Sequence, residues 1–233
     1  MRHVAVALIA ISSAAAGAQG ALTELLAGKL IDPEVGQWSL YDLSDSNGNV
    51  IVGLRQAIVG KEKVGRKTGY WVELELVPTK GLRTMYRMLL TGPANNSKNV
   101  HDVWTKLELD DPKQLELDRE TLEQLAGGKK PKRKKVGEET VETESGPIEA
   151  MHYRYITDEG EVSLWHNDDA LPTGLVRFTS KNGEVLLRSY GEGGRFGVSA
   201  MFPPDDVDGE EPLEPGPVRV IVRTADGERT ENR

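Results

Sequence analysis

Four histidines, no cysteine and a scatter of carboxylates set the chemistry open to this 233-residue chain. His3 lies in the leading segment, so His101, His152 and His166 are the ones a folded domain could use. A metal centre draws ligands from several elements, or from one element at spacings such as HExxH. None of the three histidines has such a spacing. Each reads as a hydrogen-bonded strand histidine, and no metal ligand and no cofactor is expected. Ser163, His166 and Asp168 are residue types of a hydrolytic triad, but strand neighbours alternate between faces and no G-x-S-x-G turn is present. No catalytic residue stands out, and a protein that is not an enzyme is the expectation. The lack of cysteine also removes thiol nucleophiles, disulfides, zinc ribbons and iron–sulfur ligation.

Three further patterns carry charge or glycine. Asp45-x-Asn47-Gly48-Asn49 opens like a calcium loop, yet its glycine comes at position four and no glutamate follows at position twelve, so a hairpin turn accounts for it. Asp205 to Glu211 packs five acids into seven residues and reads as a solvated tail. Gly191, Gly193, Gly194 and Gly197 lack the spacing of a dinucleotide fingerprint. The basic run Lys129, Lys130, Lys132, Arg133, Lys134 and Lys135 is the densest charge feature. A solvated loop explains it, and so does contact with an anionic surface, where each cation contributes about 1 kcal/mol. Overall, 29 Lys+Arg stand against 37 Asp+Glu, a net charge of −8, which argues against nucleic acid as a partner.

The elements that would position these residues begin after a leader. Residues 4–11 (VAVALIAI) form an apolar run behind Arg2, and Ala16-Gly17-Ala18 supplies a small-residue cleavage pattern. Residues 1–18 are therefore expected to be a cleavable signal peptide, which directs the chain to the periplasm or outside the cell. With no lipobox cysteine and no later apolar run near the ~20 residues of a spanning helix, no transmembrane segment is expected in the mature chain. Leu22, Leu25, Leu26 and Leu30 then predict a short helix within 19–35.

From residue 36 the period becomes two. Strands are expected over 37–43, 50–59, 69–77, 83–90, 100–109, 138–144, 148–156, 162–166, 174–179 and 184–190. In GYWVELELV, Tyr70, Val72, Leu74 and Leu76 face one way while Glu73 and Glu75 face the other. Leu115, Leu122 and Leu125 predict a helix over 112–125, followed by a basic loop over 127–136. Residues 192–233 read as an acidic, proline-rich tail in which 217–224 could add an edge strand. The expected fold class is mainly β (α+β): a curved antiparallel half-barrel sheet over 36–191 with a short helical layer.

One stretch adds a resemblance. Glu139-Thr140-Val141, the Ser145-Gly146-Pro147 turn, Ile148 through Ala150-Met151-His152-Tyr153-Arg154, Trp165, and Leu171-Pro172-x-Gly174-Leu175-Val176 follow one another in an order similar to the second half of LolA/LolB-like envelope proteins. That family includes periplasmic lipoprotein carriers. Upstream, Gly69-Tyr70-Trp71-Val72-Glu73-Leu74 and the strand from Met85 are similar to its early hairpins. This chain departs from the pattern at Ile148, where an aromatic is usual, in the basic insert and in the acidic extension. The resemblance implies a half-open sheet around a helical layer, with an apolar cavity between them that holds acyl chains.

The residues themselves are compatible with such a cavity. Met85, Met88, Trp104, Met151, Tyr153 and Trp165 would give a pliable apolar lining, or would simply pack the core. The expected function is an exported envelope protein that binds an apolar ligand, with a lipid or lipoprotein acyl chain as partner. The alternatives are a structural module that contacts another envelope protein and, behind it, a hydrolase.

Overall fold

The computed structural model describes residues 29–115, 132–157, 160–203, 219–224 and 227–232. Among the described residues, thirteen strands make one antiparallel sheet: β1 (Gln37–Asp45), β2 (Val50–Val64), β3 (Lys67–Pro78), β4 (Thr84–Leu90), β5 (Val100–Leu107), β6 (Lys113–Gln114), β7 (Lys134–Thr143), β8 (Gly146–Thr157), β9 (Gly160–His166), β10 (Leu175–Ser180), β11 (Gly183–Glu192), β12 (Arg219–Thr224) and β13 (Gly227–Asn232). Their spatial order is β6-β5-β4-β3-β2-β1-β11-β10-β9-β8-β7, with β12 joined to β11 and β13 to β12. Two hairpin meanders thus meet where β1 pairs with β11, which joins residues about 150 apart in sequence through Gln37↔Glu192 and Asp45↔Gly183.

All ten strands expected from the period-two pattern are present. The first hairpin forms where Asn47-Gly48 signals it: Gly48 has φ +82°, and the Asp45 carboxylate accepts from the backbone N–H groups of Asn47 (2.8 Å) and Asn49 (2.9 Å). Those bonds, Asn49 first, hold the Asp45 carboxyl below its ordinary range.

The sheet is curved. Ladder irregularities at Leu40/Tyr41, Leu43/Ser44, Ile58/Gly60, Leu89/Leu90, Lys135/Gly137 and Leu175/Arg177 add local twist. One buried apolar cluster joins Leu54, Leu74 and Met88 of the first meander to Leu164, Phe178 and Leu187 of the second. Within it, Tyr41 donates to the Leu175 carbonyl, and burial pushes its phenol up to about 12.

The α+β expectation with a helical layer is overturned. Among the described residues the only helical turn is a 3-10 turn at Ser97–Asn99. Where a helix was expected over 112–125, Lys113–Gln114 pairs with β5, and the Leu115 N–H donates to the Val103 carbonyl at 2.9 Å. Leu115 packs on the same apolar cluster from this extended chain, so its burial needs no helical period. Residues 116–125 lie outside the described residues, as do 19–28 of the other expected helix; residues 29–36 are turn and extended chain. Among the described residues, strands of the two meanders supply the buried apolar cluster to which the resemblance assigned a helical layer. Of the expected basic loop, Lys134 and Lys135 open β7, Lys132 and Arg133 precede it, and Lys129 and Lys130 lie outside the described residues, as does the acidic stretch 204–218.

Candidate functional site

Chemistry-bearing side chains gather in three places. The first is on the face of β7–β10 opposite Leu164 and Phe178. Strand pairing aligns His152 of β8 with Trp165 of β9, and Trp165 with Arg177 of β10. The rings of His152 and Trp165 stack at 4.3 Å with 12° between their planes, and the Arg177 guanidinium lies 5.0 Å from the indole. Glu139 of β7 ties the pair together: His152 Nδ1 donates to Oε1 and Trp165 Nε1 to Oε2, each at 2.8 Å. The Trp165 bond, then the His152 bond, holds the Glu139 carboxyl below its ordinary range.

This Glu–His pair has the composition of a general-base dyad but not its access. His152 is 2% exposed, and its Nε2, the atom that would have to reach a nucleophile, is sealed and has no protein partner. The other histidines stand apart. His101 shares a 2.8 Å hydrogen bond with the exposed Thr91 hydroxyl, while His166 donates from Nε2 to the Thr173 carbonyl at 3.2 Å with Asp168 3.6 Å from Nδ1. Among the described residues, no three His, Asp or Glu side chains are grouped to hold a metal ion.

The second place is the reverse face of β1–β5. The alternation that sends Leu74 to the core sends Glu73, Glu75, Met85, Arg87 and Trp104 to this face. Residues 193–203 cross it as a strap. Glu73 is fully buried and accepts from Ser199 Oγ (2.6 Å), Ala200 N (2.7 Å), Met201 N (3.3 Å) and Arg55 Nη2. Arg55 also donates to Glu75 (2.8 Å) and to the carbonyls of Phe196 (2.8 Å) and Val198 (3.1 Å). Trp38 meets Phe196 at 5.0 Å, Trp104 meets Phe202 edge-on at 5.4 Å, and the Arg87 guanidinium lies between Trp71 and Phe202. This network fastens the strap; every charge in it has a structural duty.

The third place is one end of the sheet. Ten large apolar side chains are exposed among the described residues, and seven belong to the end where β2, β4, β7 and β9 start and β3, β5 and β8 stop. Five stand in the first meander: Val50, Val77, Leu82, Leu107 and Leu109. Val136 and Ile156 stand in the second. Leu109 is 93% exposed, Ile156 69% and Leu82 56%, and the Glu108 N–H bonds the Arg83 carbonyl at 2.7 Å, joining the two loops that hold Leu82 and Leu109. Scattered single apolar residues are ordinary on a surface; here five stand at the ends of β2–β5, and Val136 and Ile156 stand at the same end toward the other edge of the sheet.

The six residues expected to line a cavity do not share a face. Met88 pairs with Val72 and Val103 on the core face, and Tyr153 pairs with Leu164 there, with Met151 two residues before it on the same face. Met85 and Trp104 are on the reverse face, Trp104 against Phe202 of the strap, and Trp165 lies against His152. Sequence reasoning missed Arg55, Glu73 and the strap. The signal for them was present: the face of GYWVELELV that carries Glu73 also carries Trp71, and its neighbours across β4 and β5 are Arg87 and Trp104.

No helix among the described residues is long and apolar enough to cross a membrane. No family model matches the chain, and no curated protein matches it by sequence. Among solved structures it is similar to a protein described as a lipoprotein from Parabacteroides distasonis, at 12% identity, covering 70% of this chain and 98% of that one with a TM-score of 0.37. It is also similar to a protein described as exported, with a YmcC-like fold, from Bacteroides fragilis, at 10% identity, covering 71% and 100% with a TM-score of 0.36. Neither likeness ties the chain to the LolA/LolB-like carriers.

Proposed function

We propose that this chain is an exported envelope protein that acts by binding, and that it meets an apolar partner at the end of the sheet bearing Leu82, Leu107, Leu109 and Ile156. The observation that carries the reading is the concentration of exposed apolar side chains at that one end. Export is supported by the leader pattern of residues 1–18. Binding rather than catalysis is supported by the sealed His152 Nε2, which leaves the Glu139–His152 pair without a route to substrate. The core face is supplied with the chain's own side chains, Leu54, Leu74, Phe178 and Leu187 all being at most 2% exposed. An acyl chain is therefore best accommodated at the end of the sheet, where apolar surface is already open and its burial contributes about 0.8 kcal/mol per methylene.

The test is uptake of a fluorescent fatty acid by the full chain and by a Leu82→Ser/Leu109→Ser variant. Saturable uptake that weakens about tenfold in the variant is expected: full burial of a leucine is worth about 2 kcal/mol, and a surface contact that covers about a third of each of the two side chains loses about 1.4 kcal/mol in all. Uptake equal in the two proteins, or none in either, would overturn the assignment of this end.

A further inference from the structure

The apolar end also bears the exposed part of the basic run. Lys132, Arg133, Lys134 and Lys135 are all exposed. Lys134 and Lys135 open β7 directly before Val136, and Lys134 pairs with Arg154, two residues before Ile156 on β8. Strand pairing thus interleaves cations and exposed apolar side chains at this edge. In the first meander, exposed Lys80 lies between Val77 and Leu82 in the β3–β4 turn, and Lys113 lies just beyond Leu107 and Leu109 toward the opposite edge.

Among the described residues, several acids at the same end are bonded within the protein, two of them in exposed pairs with Lys113 and Arg154, while Asp111 is exposed. Asp45 is bonded by the N–H groups of Asn47 and Asn49, Glu108 Oε2 by the Arg83 N–H at 2.7 Å, and Glu184 by Arg177 Nε at 2.5 Å. Asp110 lies 3.8 Å from Lys113 and Glu161 lies 3.9 Å from Arg154. Lysine is depleted from protein–protein interfaces, whereas lysines beside exposed leucine and isoleucine suit a headgroup layer: the apolar tips enter the acyl boundary while the ammonium groups meet phosphates.

We propose that this end docks on an anionic lipid surface, with Leu82, Leu109 and Ile156 as the inserting side chains and Lys132, Lys134 and Lys135 as the phosphate contacts. The proposal rests on the reading that this end is the contact surface, and adds the partner. Apolar insertion and basic attraction are the two signals that together hold a peripheral protein at a membrane when either alone holds it weakly.

The experiment is co-sedimentation of the full chain with vesicles of phosphatidylcholine alone and of phosphatidylcholine mixed with phosphatidylglycerol, at low and high salt. Binding is expected to the mixed vesicles, falling as salt rises. Lys132→Gln/Lys134→Gln/Lys135→Gln should weaken it about a hundredfold, and Leu82→Ser/Leu109→Ser about tenfold. Both variants change exposed positions, so unchanged urea unfolding midpoints verify that folding is not the cause. Equal binding to the two vesicle types, no salt dependence, or wild-type binding by the glutamine variant would each overturn the proposal. Fatty-acid uptake that depends on Leu82 and Leu109 without vesicle binding would overturn the lipid surface and leave the apolar end standing. Absence of both activities in the unsubstituted chain would sink both, and a protein partner seated on this end with no vesicle binding would replace the lipid.

Discussion

Replacing Glu73 with alanine tests whether the strap over residues 193–203 is fastened by charge. The carboxylate is fully buried and receives four donors: Arg55 Nη2, Ser199 Oγ, Ala200 N and Met201 N. Removing one partner of a buried pair costs about 3–5 kcal/mol, because the other charge stays buried without its counter-ion. Here Arg55 keeps Glu75 at 2.8 Å and the Phe196 and Val198 carbonyls, which lowers the loss. Two strap N–H groups left without an acceptor raise it, at about 1–3 kcal/mol each if they stay buried. These effects oppose one another, and a net cost of about 4 kcal/mol is expected for Glu73→Ala in urea unfolding. Pairing it with Arg55→Met should cost at least about 2 kcal/mol less than the sum of the singles, since the double variant leaves no uncompensated charge. Hydrogen exchange should locate the effect, with the amides of Ala200 and Met201 losing protection before those of the β2–β3 ladder. A cost below about 1 kcal/mol, the range of an exposed ion pair, or strict additivity of the two substitutions, would refute the buried-network account.

Three further outcomes follow from local geometry. Phe202→Ala removes the edge contact to Trp104 and one aromatic face from Arg87; because Phe202 is partly exposed, a loss of about 1 kcal/mol in urea unfolding is expected, and no change would detach the strap's end from the sheet. Gly183→Ala should destabilise by about 2 kcal/mol or more, measured the same way, since φ is +147° and a Cβ would sit 2.1 Å from the Ser44 carbonyl oxygen; wild-type stability would contradict the β1–β11 register. Glu139→Gln should change the acid response of tryptophan fluorescence. The folded-state pKa of Glu139 is depressed, so its contribution is present above the ordinary carboxyl range and is lost as pH falls through the folded value; the wild type should show an acid-side change in Trp165 emission that Glu139→Gln lacks, and identical titrations would refute the Glu139–Trp165 bond.

Much of the sheet is legible in the sequence because alternation is a backbone property: Tyr70, Val72, Leu74 and Leu76 can share a face only in an extended chain. The turns are legible for the same local reason, as at Asn47-Gly48. The helical layer misled because Leu115, Leu122 and Leu125 fit a helical period, while the pairing that holds Lys113–Gln114 to β5 depends on a partner strand that no local pattern reveals. The strap was illegible as structure because residues 193–203 have no period and join an acidic, proline-rich stretch. Their contacts are instead recorded on the other partner. A glutamate alternating with leucines reads as solvent-facing, but Trp71 and Trp104 on the same face signal that something covers it. At the apolar end, only the strand order shows that Leu82 and Leu109 stand at the same end of the sheet as Val136 and Ile156, toward its opposite edge.

Burial of both faces decides where function can reside. A sheet with one face in a core usually leaves its other face to solvent and to partners. Here the first meander commits its second face as well: Glu73, Met85 and Leu89 are buried there, and the strap bonds Glu73 through Ser199, Ala200 and Met201. In the second meander, the corresponding face places His152 and Trp165 under cover, with Arg177 held over the indole and Glu139 bonded to both rings. The strand ends carry no such obligation, because side chains in hairpin tips are not needed to complete a face. Polar residues there would satisfy folding at least as well as Leu109 at 93% exposure or Ile156 at 69%. Burial on folding therefore does not account for these apolar side chains, whereas the proposed partner contact would.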